Sequence, residues 1–283
     1  MEREFRAKLS PASGPHQFVV QGRYNRFITT LTQNAAPIGA AAFVQLFFCA
    51  LPSGYAIVPP VTFFLALALN ALFRLRTPSS SPKQPYRDPN VVPGRATAQL
   101  PSPSGSFGTE PAVEGLVVFN LGAQMNHPMG FLCPGGKEIG DWFMAMNADL
   151  MRRRDELGLI TMSDWRGLNV DNANSLCATY YFRDVESIHR FAYEEMHRKA
   201  WDWFNAAKHD HIGIFHETFI VPPHSYETIY KNCVPIGFGK GSVKCKDIKG
   251  VDQWASVLVS ADTPALKTQM ARFNREERGN RKE

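Results

Sequence analysis

The sequence predicts an α+β domain of ferredoxin-like βαββαβ topology, of the kind that pairs as a dimeric α+β barrel, with an apolar helical hairpin N-terminal to it. Three observations predict this. Segments that alternate or run apolar like strands flank two segments with helical spacing, in the order strand, helix, strand, strand, helix, strand. That order gives an antiparallel sheet with both helices on one face. The other face is left for a second copy to cover. Finally, no charged residue occurs between Ala35 and Phe73.

Taken in order, residues 1–34 form a polar leader and residues 35–76 a membrane anchor. The apolar run is long enough for two short spans, and "LPSG" at Leu51–Gly54 supplies a turn between them. Arg23 and Arg26 flank one end, and Arg74 and Arg76 the other. By the positive-inside rule both flanks face the cytoplasm, and so does the domain that follows. A single span is the competing reading, because Pro59 and Pro60 interrupt the second segment. Residues 77–112, with eight prolines and little apolar surface, read as a disordered linker.

The catalytic-sized domain covers 113–240. Val113–Gln124 is a near-continuous apolar strand, and Lys137–Gly158 a helix striped by Ile139, Phe143, Met146, Leu150 and Leu157. Leu159–Leu168 and Leu176–Arg183 are strands joined by an Asn/Asp-rich turn. Asp184 caps a second helix, expected as one piece from Asp184 to His209. Ile212–Val221 is the last strand, closed by Pro222 and Pro223. Residues 241–283 read as an extension ending in a basic tail.

The ionisable residues inside these elements are the candidates for chemistry. On the last strand His216 and Glu217 sit among apolar neighbours and point to opposite faces. Each needs a partner if buried. His216 is a candidate base near neutral pH, or a core histidine bonded to Tyr180 or Tyr181. His189, Tyr193, His197 and Trp201 recur at spacing four, either as a pocket wall or as a boundary row. His209 and His211 fall at a helix end and need no chemistry. The crowd of aromatics, Trp142 and Trp165 among them, suits a pocket for a greasy ligand.

Much is argued against. The net charge of +5 comes without an Arg/Lys stripe interleaved with aromatics, so nucleic acid is not a partner. The five scattered cysteines form no CxxC pair and suggest reduced thiols. No HExxH, GxGxxG or GxxxxGK[ST] is present, so neither a metal nor a nucleotide or flavin cofactor is expected.

Residues 189–239 also resemble a known family. The pattern is His197, Trp201, Trp203 and Phe204; then Gly213, Ile214, His216, Glu217, Thr218 and Val221; then Glu227, Ile229, Tyr230, Asn232, Gly237 and Gly239. With "GDWFMAMNADL" and "YYFRDVESIHRFA", it is similar to fungal and bacterial proteins grouped with the monooxygenase of the fumagillin pathway. That family is related to antibiotic-biosynthesis-type monooxygenases, which are dimeric α+β barrels. The resemblance implies a membrane-tethered monooxygenase of a lipophilic secondary metabolite, polyketide or terpenoid, working as a homodimer and needing no metal or flavin. On this reading His216 or His197 abstracts a proton, Glu217 orients an imidazole, and Trp142, Trp165, His189, Tyr193, Trp201 and Tyr230 bind substrate. Two alternatives stand beside it. One is a haem-binding dehydratase or peroxidase-like enzyme of the same barrel, with His189 or His197 as axial ligand. The other is a non-catalytic lipophile-binding accessory protein.

Overall fold

The computed structural model describes residues 4–18, 35–52, 54–76, 90–167 and 173–276. The parts of the leader, the linker, the Asn/Asp turn and the basic tail that fall on the other positions lie outside the described residues. The chain divides into two compact units, residues 19–91 and residues 1–18 with 92–283.

The smaller unit is the expected helical hairpin. Helix α1 spans Ala35–Cys49 and helix α2 Val58–Arg76, with a 3-10 turn at Tyr55–Ile57 between them. Gly54 takes a left-handed φ of 111° to enter that turn. Pro59 and Pro60 do not interrupt the second segment. They fall in the first turn of α2, where a missing N–H costs nothing. The expectation of membrane-spanning helices is not supported. Among the described residues no helix is long and apolar enough to cross a membrane.

The larger unit opens its regular structure with β1 (Val92–Ala98), where sequence alone suggests disordered linker. Its small residues hide a strand: Val92, Ala96 and Ala98 are buried, and β1 is the middle strand of a three-stranded sheet. The domain proper follows with β2 (Leu116–Met125), α3 (Gly136–Arg152), β3 (Leu159–Arg166) and β4 (Ser175–Phe182). The second helix is broken in two, α4 (Val185–Tyr193) and α5 (Glu195–Ala207), before β5 (Ile212–Val221). The break is at Glu194, whose ψ of 144° is extended and whose carboxylate is held by Arg153 at 2.6 and 3.2 Å. Asp184 caps α4 as expected, accepting from the Ser187 N–H at 2.7 Å.

The four strands pair antiparallel in the order β3-β4-β2-β5. This is the split βαβ arrangement. The face under the helices carries the main core: Val117, Phe119, Leu150, Leu157, Leu159, Met162, Tyr180, Phe182 and Phe191. One polar thread crosses it. The Tyr180 hydroxyl donates to Asn147 Oδ1 of α3 at 2.6 Å, and the Asn147 amide reaches Asp164 at 3.4 Å. Burial raises the pKa of both Tyr180 and Asp164, so the phenol stays protonated and donates.

The opposite face is not bare. The remaining strands, β6 (Tyr230–Cys233), β7 (Ser242–Lys246), β8 (Asp252–Ser256) and β9 (Leu258–Ser260), build a second layer over part of it. The sheet β6-β1-β9 and the pair β7-β8 bury Leu116 and Ile160 against Ala98, Phe238, Val243 and Val257. The N-terminal residues strap this layer: Phe5 is buried, and Ala7 and Ala12 bridge to Val259 and Trp254. The segment between β5 and β6 is pinned by a short helix, α6 (Gln269–Arg272), whose Arg272 Nε donates to Glu227 at 2.6 Å. Residues 4–18, 92–112 and 241–276, read in the sequence as parts of leader, linker and extension, thus form one structure.

Candidate functional site

The second layer leaves half of that sheet face open, and the open half carries a line of polar side chains. Register decides which they are. Asn120 of β2 lies opposite Thr179 of β4 and Glu217 of β5, and cross-strand partners share a face. The Trp165 indole N–H donates to Thr179 Oγ1 at 3.1 Å. The Thr179 hydroxyl donates to Asn120 Oδ1 at 2.8 Å. That fixes the amide, so its NH₂ points at Glu217 Oε2, 3.5 Å away. The relay ends on a carboxylate whose remaining lone pairs face outward.

Beside the relay lies a cavity of about 350 Å³ whose lining includes Gln124, Trp165, Arg166, Ser175, Cys177 and Phe215. Gly122 lets the Phe215 ring lie flat across the strand, because a Cβ there would come within 2.3 Å of the ring. Trp165 spends its N–H on Thr179 and so offers a π face to a ligand. Burial, and secondarily the charge of Glu217, push the Cys177 thiol up, which keeps it protonated and unfit as a nucleophile. The arrangement can hold a flat apolar molecule against aromatic rings and take a proton from it.

Of the residues singled out in the sequence, Trp165 and Glu217 meet here. The others do not. His216 is on the opposite face, paired with Leu121, its ring 5.7 Å from Phe119. Glu217 therefore cannot orient it. His197 bonds the Ala192 carbonyl at 2.9 Å and packs its ring 5.2 Å from Phe191. Between the two histidines runs a ladder of packed rings, Phe119, Tyr180, Phe182 and Phe191, with centroids 5.9 to 6.5 Å apart. No common hollow is formed; the space is filled with core.

The row at spacing four is broken by the turn at Glu194. His189 and Tyr193 line a surface cleft of about 430 Å³ with Glu156, Leu157, Glu186, Arg190 and Glu194, so three carboxylates stand around it. Trp201 is 51% exposed and stacks on Phe204. Trp142 is half-buried on α3. Tyr230 accepts the Gly239 N–H at 2.8 Å and packs in the second layer, a structural role. The His211 ring packs 5.2 Å from that of His127 and 5.4 Å from that of His209, and His211 bonds the Pro134 carbonyl. Among the described residues no three His, Cys, Asp or Glu side chains converge to hold a metal ion.

Sequence reasoning missed Asn120, Thr179 and Phe215. A signal existed: Asn120 is a lone amide in the apolar strand "LVVFNLGA", a placement that needs a partner.

Fold and relay together define an α+β domain with a candidate active site on its open sheet face. Comparison with known proteins supplies the family. Residues 116–238 match the model of the monooxygenase af470-like family. Over 279 residues, 98% of this chain and 100% of the other, the sequence is 39% identical to monooxygenase af470 of Aspergillus fumigatus. The chain belongs to the af470-like monooxygenases and is an oxidoreductase of that class. Solved structures give weaker likenesses. An aldoxime dehydratase bound to butyraldoxime matches at TM-score 0.39 and 14% identity, over 52% of this chain and 39% of that one. SnoaB, a cofactor-independent oxygenase from Streptomyces nogalater, matches at TM-score 0.27 and 15% identity, over 38% of this chain and 91% of that one.

Proposed function

We propose that this monooxygenase oxidises a lipophilic secondary metabolite, a polyketide or terpenoid, on the open half of the sheet face, without metal or flavin. The carrying observation is the relay from Trp165 to Glu217 beside an aromatic-lined cavity. Glu217 is the base. It accepts an acidic proton from a substrate CH₂ lying on Trp165 and Phe215. Asn120 and Thr179 are positioning residues that fix the carboxylate beside the cavity.

The resulting carbanion is the reductant for dioxygen. A C–O bond forms as dioxygen adds to the carbon, and a hydroperoxide results. Loss of water from it breaks the O–O bond and leaves a carbonyl. One oxygen atom enters product and the other becomes water. The substrate supplies all the electrons, so no external donor is consumed.

In this reading a second copy closes the open half of the sheet, making the working unit a homodimer. The hairpin tethers the enzyme to a membrane with its catalytic unit on the cytoplasmic side. The Arg pairs at both ends of the charge-free run support that orientation.

The test is turnover by purified full-length protein under dioxygen with no added cofactor, alongside its absorbance spectrum. Glu217→Gln, which keeps the shape and loses the base, is expected to lower product formation by about a hundredfold or more. Full activity in that variant sinks the assignment. A Soret band in active protein replaces the reading with the haem one.

A further inference from the structure

We infer that the helical hairpin is a re-entrant membrane anchor: it enters a lipid bilayer from one side, turns inside it and leaves by the same side. This rests on the membrane-tethering part of the proposed function and replaces spanning helices with a non-spanning loop.

Topology is the first argument. Residues 1–18 and 92–283 form one compact unit, and the hairpin unit is the stretch of chain between them. Chain that leaves one folded body and returns to it cannot cross a bilayer an odd number of times.

Length then argues against two crossings. At 1.5 Å per residue the 15 residues of α1 rise about 22 Å, and the 19 of α2 about 28 Å. The apolar core of a bilayer is about 30 Å thick. The described α1 falls about 8 Å short of that thickness, which leaves the turn inside the core.

The surface of the hairpin says what surrounds it. Ala40, Ala41, Ala42, Phe43 and Val44 are successive exposed positions of α1, and Phe63, Phe64, Leu65 and Ala66 of α2. Successive helical positions differ by about 100°, so these residues ring their helices instead of forming a stripe. A groove in a partner protein would cover one face; only an apolar solvent covers them all.

Two polar side chains of the hairpin are satisfied from inside. The Gln45 amide donates to the Ala56 carbonyl across the turn at 2.9 Å. The Thr62 hydroxyl donates to the Val58 and Pro59 carbonyls at 2.9 Å. Such internal pairing is what immersion in hydrocarbon requires. In the sequence, arginines flank the charge-free run at both ends, which suits anionic headgroups.

Cys49, exposed at the end of α1 beside the turn, gives the test. Full-length protein carrying Cys177→Ser and Cys233→Ser keeps Cys49 as its exposed thiol, since Cys133 and Cys245 are buried. It is mixed with phosphatidylcholine vesicles containing phosphatidylglycerol. A bilayer-impermeant maleimide is supplied either outside or trapped within. The expected result is co-flotation with the vesicles and a Cys49 that neither pool of reagent reaches. Phe47→Asp and Phe64→Asp are each expected to lower the vesicle partition coefficient about tenfold or more. Modification from the lumen shows a spanning hairpin and overturns the inference while membrane tethering survives. Modification from outside after flotation shows a surface contact and also overturns it. Failure to float, or Asp variants that bind as well as the parent, overturns both the inference and the tethering.

Discussion

The two faces of the four-stranded sheet are built from the same strands and do different work. Under the helices, Phe119, Tyr180 and Phe182 pack ring on ring, and their polar atoms are paired within the core. On the other face Asn120, Thr179 and Glu217 occupy the next positions along the strands, and their hydrogen bonds run in series toward solvent. Alternation along a strand makes this division inevitable, since consecutive residues serve opposite faces. One face can be optimised for packing while the other keeps a carboxylate partly exposed beside a cavity. Stability and chemistry are thereby separable by single substitutions.

That separation can be broken or sharpened by measurement. The largest effect belongs to the covered face. Phe182→Ala, at a fully buried position, is expected to cost about 3–5 kcal/mol in denaturant unfolding. A smaller loss would mean that the ring ladder is not the main core. The second layer comes next. Arg272→Ala leaves the Glu227 carboxylate without its charge partner at a site where both are largely buried, and about 3 kcal/mol should be lost. If this layer is independent of the sheet, two unfolding transitions will appear instead of one.

A change within the relay should be milder for the fold and selective for rate. Thr179→Val removes the acceptor for Trp165 and the donor for Asn120 at once. It is expected to cost about 1 kcal/mol in stability. Product formation should fall about tenfold, with the Asn120 amide free to rotate. Equal losses for Thr179→Val and a packing variant of the covered face would erase the division of labour. The smallest effect is expected for His216→Ala. Its imidazole lies among the helix-side residues at an exposed strand edge, so activity should stay within about twofold and stability within about 1 kcal/mol. A large loss of activity there would move the chemistry to the other face.

The order of strands and helices was legible in the sequence because period and length differ between the two element types. The break at Glu194 was not, since helical spacing continues through it and the Arg153 contact that bends the chain comes from 41 residues away. Strand β1 was hidden by proline-rich surroundings and by side chains too small to mark a buried face. Glu217 and Trp165 stood out as polar or amphipathic residues in apolar strands. Their meeting through Thr179 and Asn120 depends on the register of three strands, which no single segment encodes. The helix row failed as a pocket wall for the same reason: spacing places side chains on a helix but does not say what the helix faces.

The N-terminal strap sets a timetable for the newborn chain. His16 donates its N–H to Ser242, 226 positions later, and Lys8 and Ala12 bond the strands beyond it. At about 5–20 residues per second a ribosome needs roughly 10–45 seconds to make that stretch. Throughout that interval residues 8–16 wait without their docking strands, and the layer that shapes the open half of the sheet can close only once Leu258 has been made.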